Sequence, residues 1–157
     1  MDKIDSKLLE LLQDDSRTSH ADLAKAVGLS PTGIHKRLKR LEEQGYVKQF
    51  TVVLSRERLG LDLLCILLVT FKTNLAMKNL HSLEKAIAQF PQILECYTLT
   101  GAYDAVLKVL VRDHNDLRKF LRDFSDAQNV VERVHTAIVL EELRERSGLP
   151  LPVKDEP

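Results

Sequence analysis

The feature that most constrains this chain is its punctuation between residues 19 and 45. Ser19 precedes HADLAKAV, Gly28 closes that run, Ser30 and Pro31 follow Leu29, and Gly45 closes the next run. A serine hydroxyl at a helix start accepts one of the N–H groups that have no carbonyl partner. A glycine just past a helix takes the left-handed conformation that ends it. A proline at the first helical position gives up an N–H that the helix does not use. The pattern predicts a short helix with Leu23, Ala24 and Val27 on its apolar side, a tight glycine turn, and a further helix reaching about Gln44. Ser19 with Asp22 reads as a weak capping box. Upstream, residues 2–14 place Ile4, Leu8, Leu11 and Leu12 at helical spacing, with Asp2 and Asp5 near the start where negative charge suits the helix dipole. Two short helices joined by a tight turn form a helix-turn-helix, with the motif at about residues 20–39.

The last of these helices carries unopposed charge. Ile34 to Arg40 reads IHKRLKR, with four Lys or Arg and no acid. On a helical wheel Ile34, Leu38 and Leu41 share one side, which must face the core. Thr32, Lys36 and Lys39 lie opposite, Gly33 and Arg40 lie beside them, and His35 and Arg37 sit on the flanks. A helix inserted in a DNA groove needs this division, one face for the bases and one for its own domain. Thr32, Gly33 and Lys36, near the helix start, are the candidates for base edges. Lys39, Arg40 and Arg37 are the candidates for phosphates, and Ser30 with the free N–H groups beside it could hold another. A solvated basic face on an ordinary helix would carry the same charge run; the preceding helix, the Gly28 turn and the Ser30–Pro31 start favour double-stranded DNA.

Bulk charge gives no help, because Lys+Arg and Asp+Glu number 23 each. Residues 1–60 lean slightly basic, with 11 Lys or Arg against 9 Asp or Glu. One domain with so few cations should bind DNA weakly, since phosphate contacts dominate non-specific affinity. A dimer placing two such helices about 34 Å apart is the expected remedy.

Tyr46 to Leu54 reads as a strand leaving the helical unit, and residues 55–62 (SRERLGLD) as a hinge. The expected order beyond is a strand over Leu63–Thr73, a helix over Leu75–Phe90, strands over Ile93–Thr100 and Asp104–Val111, a helix over His114–Phe124 and a strand over Val130–Leu140. This β-α-β-β-α-β order is the split βαβ pattern of a ferredoxin-like domain, so the whole is an α+β chain: a winged helix-turn-helix domain (1–60), an α/β effector-binding and oligomerisation domain (61–147) and a loose tail (148–157). With aromatic residues at 5% and no Trp, aliphatic side chains must build the cores. LLCILLV at Leu63–Val69 is apolar at every position, and a continuous apolar run implies a strand covered on both faces. The helices of a split βαβ domain cover one face only, so a second copy is the economical cover for the other. In the turn TGAYD, Gly101 permits a sharp bend and Asp104 could accept hydrogen bonds from an ammonium group, although a plain hairpin turn would read the same way.

Cys65 and Cys96 lie far apart and read as two thiols in a reducing cytosol. Charged residues follow Met1 at once, which speaks against a signal peptide, and no apolar run is long enough for a membrane span. A cytoplasmic protein is expected. His81, His114 and His135 are scattered, and neither a metal nor a cofactor is expected from any Cys, His, Asp or Glu spacing.

Taken together, these residues resemble the leucine-responsive regulator/asparagine operon regulator (Lrp/AsnC) family. DKIDSKLLELLQDDSR is similar to that family's first helix, and DLAKAVGLSPTGIHKRLKRLEEQGYV to its helix-turn-helix. ECYTLTGAYDAVLKV is similar to its ligand-domain turn, and His135–Ala137 with the following IVLEEL to its last strand. The resemblance spans residues 2 to about 146. It implies a non-enzymatic transcription regulator, a dimer assembling into tetramers or octamers, and a small-molecule effector such as an amino acid bound between neighbouring dimers. The pocket it implies joins Gly101, Ala102, Tyr103 and Asp104 to Thr136, Ala137, Ile138 and Val139 of a neighbouring subunit. Ala102 stands where an acidic residue is frequent, and Ala137 is small where a larger side chain occurs. Two rival readings share the sequence: a siroheme-decarboxylase-like enzyme, which would need His and Arg lining the ligand domain, and an architectural DNA-binding protein without an effector.

Overall fold

A computed structural model of the chain describes residues 1–72, 84, 85, 87–127, 131–144 and 148–151. The chain forms two compact units, one of Met1–Val53 with Arg144–Pro157, the other of Leu54–Leu143.

Among the described residues the first unit holds three helices. In α1 (Lys3–Asp14) the Asp2 carboxylate accepts from the Asp5 N–H at 2.8 Å, and the Asp5 carboxylate accepts from the Asp2 N–H at 3.0 Å, a complete capping box. In α2 (His20–Val27) the Ser19 hydroxyl accepts from the Asp22 N–H, and Gly28 ends the helix at φ 69°. In α3 (Pro31–Glu43) the Ser30 hydroxyl accepts from the Gly33 N–H at 3.1 Å. Leu8, Leu9, Leu23, Ala24, Ile34, Leu38 and Leu41 form the buried core between them. Residues 148–151 also belong to this unit: Gln13 exchanges hydrogen bonds with the Leu149 backbone, and Leu151 packs against the helical core.

The strand expected over Tyr46–Leu54 is not formed. A strand needs a neighbour to take its N–H and C=O groups, and no strand among the described residues pairs with this segment. Phe50, Val52, Val53 and Leu54 consequently stay exposed.

The described residues of the second unit include a four-stranded antiparallel sheet of β1 (Leu63–Phe71), β2 (Ile93–Thr98), β3 (Ala105–Val111) and β4 (Val131–Ile138), in the order β2-β3-β1-β4. Helix α4 (His114–Ala127) follows β3. The helix expected over Leu75–Phe90 lies largely outside the described residues, although Glu84, Lys85 and Ile87 are helical. Cys65, Leu67 and Val69 of β1 and Ala105, Leu107, Val109 and Val111 of β3 are buried together with Leu117, Phe120 and Phe124 of α4. Strict alternation in β3 shows the pleat at work, each second residue facing α4.

The register fixes what occupies the other face. Glu95, Lys108, Ile66 and Ala137 form one cross-strand row, and Tyr97, Val106, Leu68 and His135 the next. Ile66, Leu68, Val106 and Leu110 are only half-buried there, and Tyr97 is exposed.

Candidate DNA-reading helix and ligand-domain turn

The division of α3 follows from its sequence. Ile34 and Leu41 are fully buried and Leu38 nearly so, which turns Thr32, His35, Lys36 and Lys39 to solvent. Ser30 is also exposed, and its hydroxyl is occupied by the Gly33 N–H. A Cβ added to Gly33 would come within 3.3 Å of that hydroxyl, so the glycine keeps the cap uncrowded and brings backbone close to the helix start. Lys36 makes no ion pair or hydrogen bond with another described residue, and Lys39 has only a loose 3.8 Å pair with Glu43. The His35 ring lies 5.7 Å from that of His20, across the turn.

Arg37 and Arg40 are placed differently from the solvent-facing cations beside them. Arg37 Nη1 donates to Asp2 Oδ2 at 2.6 Å and to Asp5 Oδ1 at 2.7 Å. Arg40 Nη2 donates to both oxygens of Asp5, at 2.9 and 2.8 Å. The Asp5 side chain is 2% exposed, against 25% for Arg37 and 47% for Arg40. The hydrogen bond from Arg37 holds the Asp2 carboxyl below its ordinary pKa, and the bonds to Asp2 and Asp5 hold the Arg37 guanidinium above its own. Sequence reasoning saw Asp2 and Asp5 only as dipole partners of α1. The spacing signal was available, since both acids and both arginines stand three residues apart, but nothing local says the two helices meet there.

In the second unit the turn 100–104 is shaped by Gly101, whose φ of 117° suits glycine alone. Gly101 and Ala102 are exposed, and Tyr103 and Asp104 half-buried. Asp104 is committed to the sheet end: Oδ2 accepts from the Phe71 N–H at 2.7 Å, and its own N–H donates to the Val69 carbonyl at 2.9 Å. One carboxylate oxygen of Asp104 therefore serves the fold. The second group lies on the edge strand β4. Thr136 pairs with Leu67, Ala137 with Ile66 and Ile138 with Cys65, and the Val139 N–H donates to the Leu64 carbonyl. Strand β1 separates this edge from β3 and its turn, and no hydrogen bond among the described residues joins the two groups.

Burial raises the pKa of both free thiols, Cys65 and Cys96, away from the range of a reactive thiolate. His114 and His135 lie exposed on different elements, and His81 falls outside the described residues. No helix among the described residues is long and apolar enough to cross a membrane.

Comparison with known proteins finds matches for both units. Residues 1–48 match the family model for winged helix-turn-helix DNA-binding, and residues 64–149 that for the Lrp/AsnC ligand binding domain. The HTH-type transcriptional regulator FL11 of Pyrococcus furiosus is 35% identical over 96% of this chain and 97% of its own. The transcriptional regulator AzlB of Bacillus subtilis is 33% identical over 96% of each chain. A Neisseria meningitidis transcriptional regulator, solved as a complex with L-Met, superposes with a TM-score of 0.89 at 30% identity, covering 96% of both chains. The chain therefore belongs to the Lrp/AsnC family of transcriptional regulators.

Proposed function

We propose that this regulator reads a specific DNA sequence through the N-terminal half of α3, as a homodimer that assembles further, and that a small metabolite such as an amino acid adjusts its activity. Thr32, Gly33 and Lys36 meet base edges; Lys39, His35 and the Ser30 end of the helix meet the backbone. The observation that carries this reading is the face of α3 opposite Ile34, Leu38 and Leu41, which holds Lys36 exposed and without a partner among the described residues. Its chemistry is binding rather than catalysis, and it acts in the cytoplasm.

The effector lies where two chains meet, between the Gly101–Asp104 turn of one and the Thr136–Val139 edge of another. Two facts support this: the groups sit apart within one chain, and a relative of the same fold was solved with L-Met. The half-apolar sheet face carrying Ile66, Leu68 and Val106 supports pairing with a second copy. The test is selection of bound sequences from a random DNA library, with and without an amino-acid mixture, alongside light scattering. An enriched sequence, bound at least tenfold more weakly by Lys36→Ala, is expected. Retention of full affinity by that variant would refute the assignment of α3. DNA affinity and oligomer distribution unmoved by every amino acid would refute the sensing role.

A further inference from the structure

Two arginines of the cationic run on α3 are tied to carboxylates of α1, Arg37 with its side chain 25% exposed and Arg40 through Nη2 with its side chain 47% exposed. Asp5 Oδ1 receives Arg37 and Arg40, Asp5 Oδ2 receives Arg40 and the Asp2 N–H, and the Asp2 carboxylate receives Arg37 and the Asp5 N–H. The same two carboxylates thus cap α1 and clamp α3. Two acids balance two cations, so the charge of this run that no carboxylate of α1 offsets is that of Lys36 and Lys39. Swinging Arg37 or Arg40 out to a phosphate would strip partners from a carboxylate that is 2% exposed, and an unpaired buried charge is strongly disfavoured.

We propose that Arg37 and Arg40 are positioning residues: through Asp5 and Asp2 they fix the rotation of α3 upon α1, and so aim Thr32 and Lys36 at the bases, without themselves contacting DNA. This rests on the reading of α3 as the DNA-reading helix. Each arginine spans two acceptors through one terminal nitrogen, Arg37 Nη1 between Asp2 and Asp5 and Arg40 Nη2 between the two oxygens of Asp5, and the planar guanidinium holds that nitrogen's two N–H groups at fixed angles. A small rotation of α3 moves every base contact at once while leaving the domain folded, so the clamp acts on specificity.

The test measures binding of the full-length protein to its selected DNA across a range of KCl concentrations, at a temperature where circular dichroism shows each variant folded. Arg37→Ala and Asp5→Asn are expected to weaken specific binding about tenfold, to reduce discrimination against random DNA, and to leave the slope of log K against log salt unchanged. Lys39→Ala, which removes a cation assigned to the DNA backbone, lowers that slope by about 0.9 for each phosphate no longer neutralised. The double variant Asp5→Asn with Arg37→Ala binds no more weakly than the worse single one. Asp2→Ala, at a site half exposed, is the milder variant should Asp5→Asn not fold, and shows a smaller loss in the same direction. A slope reduced by Arg37→Ala would make that arginine a phosphate ligand and overturn the proposal. Unchanged affinity and discrimination in folded clamp variants would reduce the network to ordinary stabilisation and overturn it equally. Failure of the underlying reading is separate: there, Lys36→Ala with Lys39→Ala would leave DNA binding intact.

Discussion

Replacing Phe124 by alanine should selectively weaken the sheet domain. Phe124 is fully buried, with its ring centroid 5.6 Å from that of Phe90 at 73° and 5.7 Å from that of Phe120 at 16°. Phe90 and Phe120 themselves meet edge to face at 5.6 Å. Truncating a buried phenylalanine to alanine costs about 3–5 kcal/mol, depending on how far the surroundings collapse into the gap. Collapse is poor at this position. The neighbouring rings are rigid, and the Leu107 and Val109 side chains beneath are held by the β1–β3 ladder. A loss of about 4 kcal/mol is therefore expected, which for a domain near this size lowers the melting temperature by about 15–30 °C. Differential scanning calorimetry at fixed protomer concentration should show the transition of the Leu54–Leu143 unit shifted, while that of the helical unit stays within about 3 °C. A change of less than about 1 kcal/mol would mean that the three rings do not form the mainstay of this core.

Ser30→Ala removes the acceptor for the Gly33 N–H and should cost the helical unit about 1 kcal/mol in urea unfolding, with α2 unaffected in hydrogen exchange. Gly101→Ala should cost about 1–3 kcal/mol: a methyl group there would meet no atom within 4 Å, so the loss is backbone strain at φ 117° alone, readable from the thermal midpoint of the sheet domain. Acid should loosen the helical unit. The Asp2 carboxyl is held below its ordinary 3.8 by Arg37, so its contribution is present above that value and vanishes as pH falls through the lower, folded value. Urea midpoints measured from about pH 6 down to pH 2 should fall less steeply in Asp2→Asn than in the parent.

Local chemistry made much of this legible from the chain alone. Ser19, Gly28, Ser30 and Pro31 mark the helix boundaries because caps and turns are decided by one residue and its neighbours three or four places away. The four described strands fall where apolar runs and turn residues put them, and the order β2-β3-β1-β4 is the one a split βαβ domain requires. What escaped was longer in reach. A wheel drawn on α3 alone puts Arg40 beside the solvent-facing stripe and gives no sign of its ion pair, since nothing on the wheel reveals a carboxylate 35 residues away. Asp104 reads as a free acceptor until Phe71, 33 residues upstream, turns out to donate to it. The segment after Tyr46 has the composition of a strand, but composition does not supply a ladder partner.

The polypeptide departs from the helical unit near Val53 and returns to it at Arg144. The sheet domain is thus spliced into the helical one rather than appended behind it. Exchanging sheet domains between relatives would accordingly require two junctions, one at each crossing. A fragment halted at residue 60 would keep all three helices yet forfeit Leu151 from their apolar margin and the Leu149 backbone from Gln13.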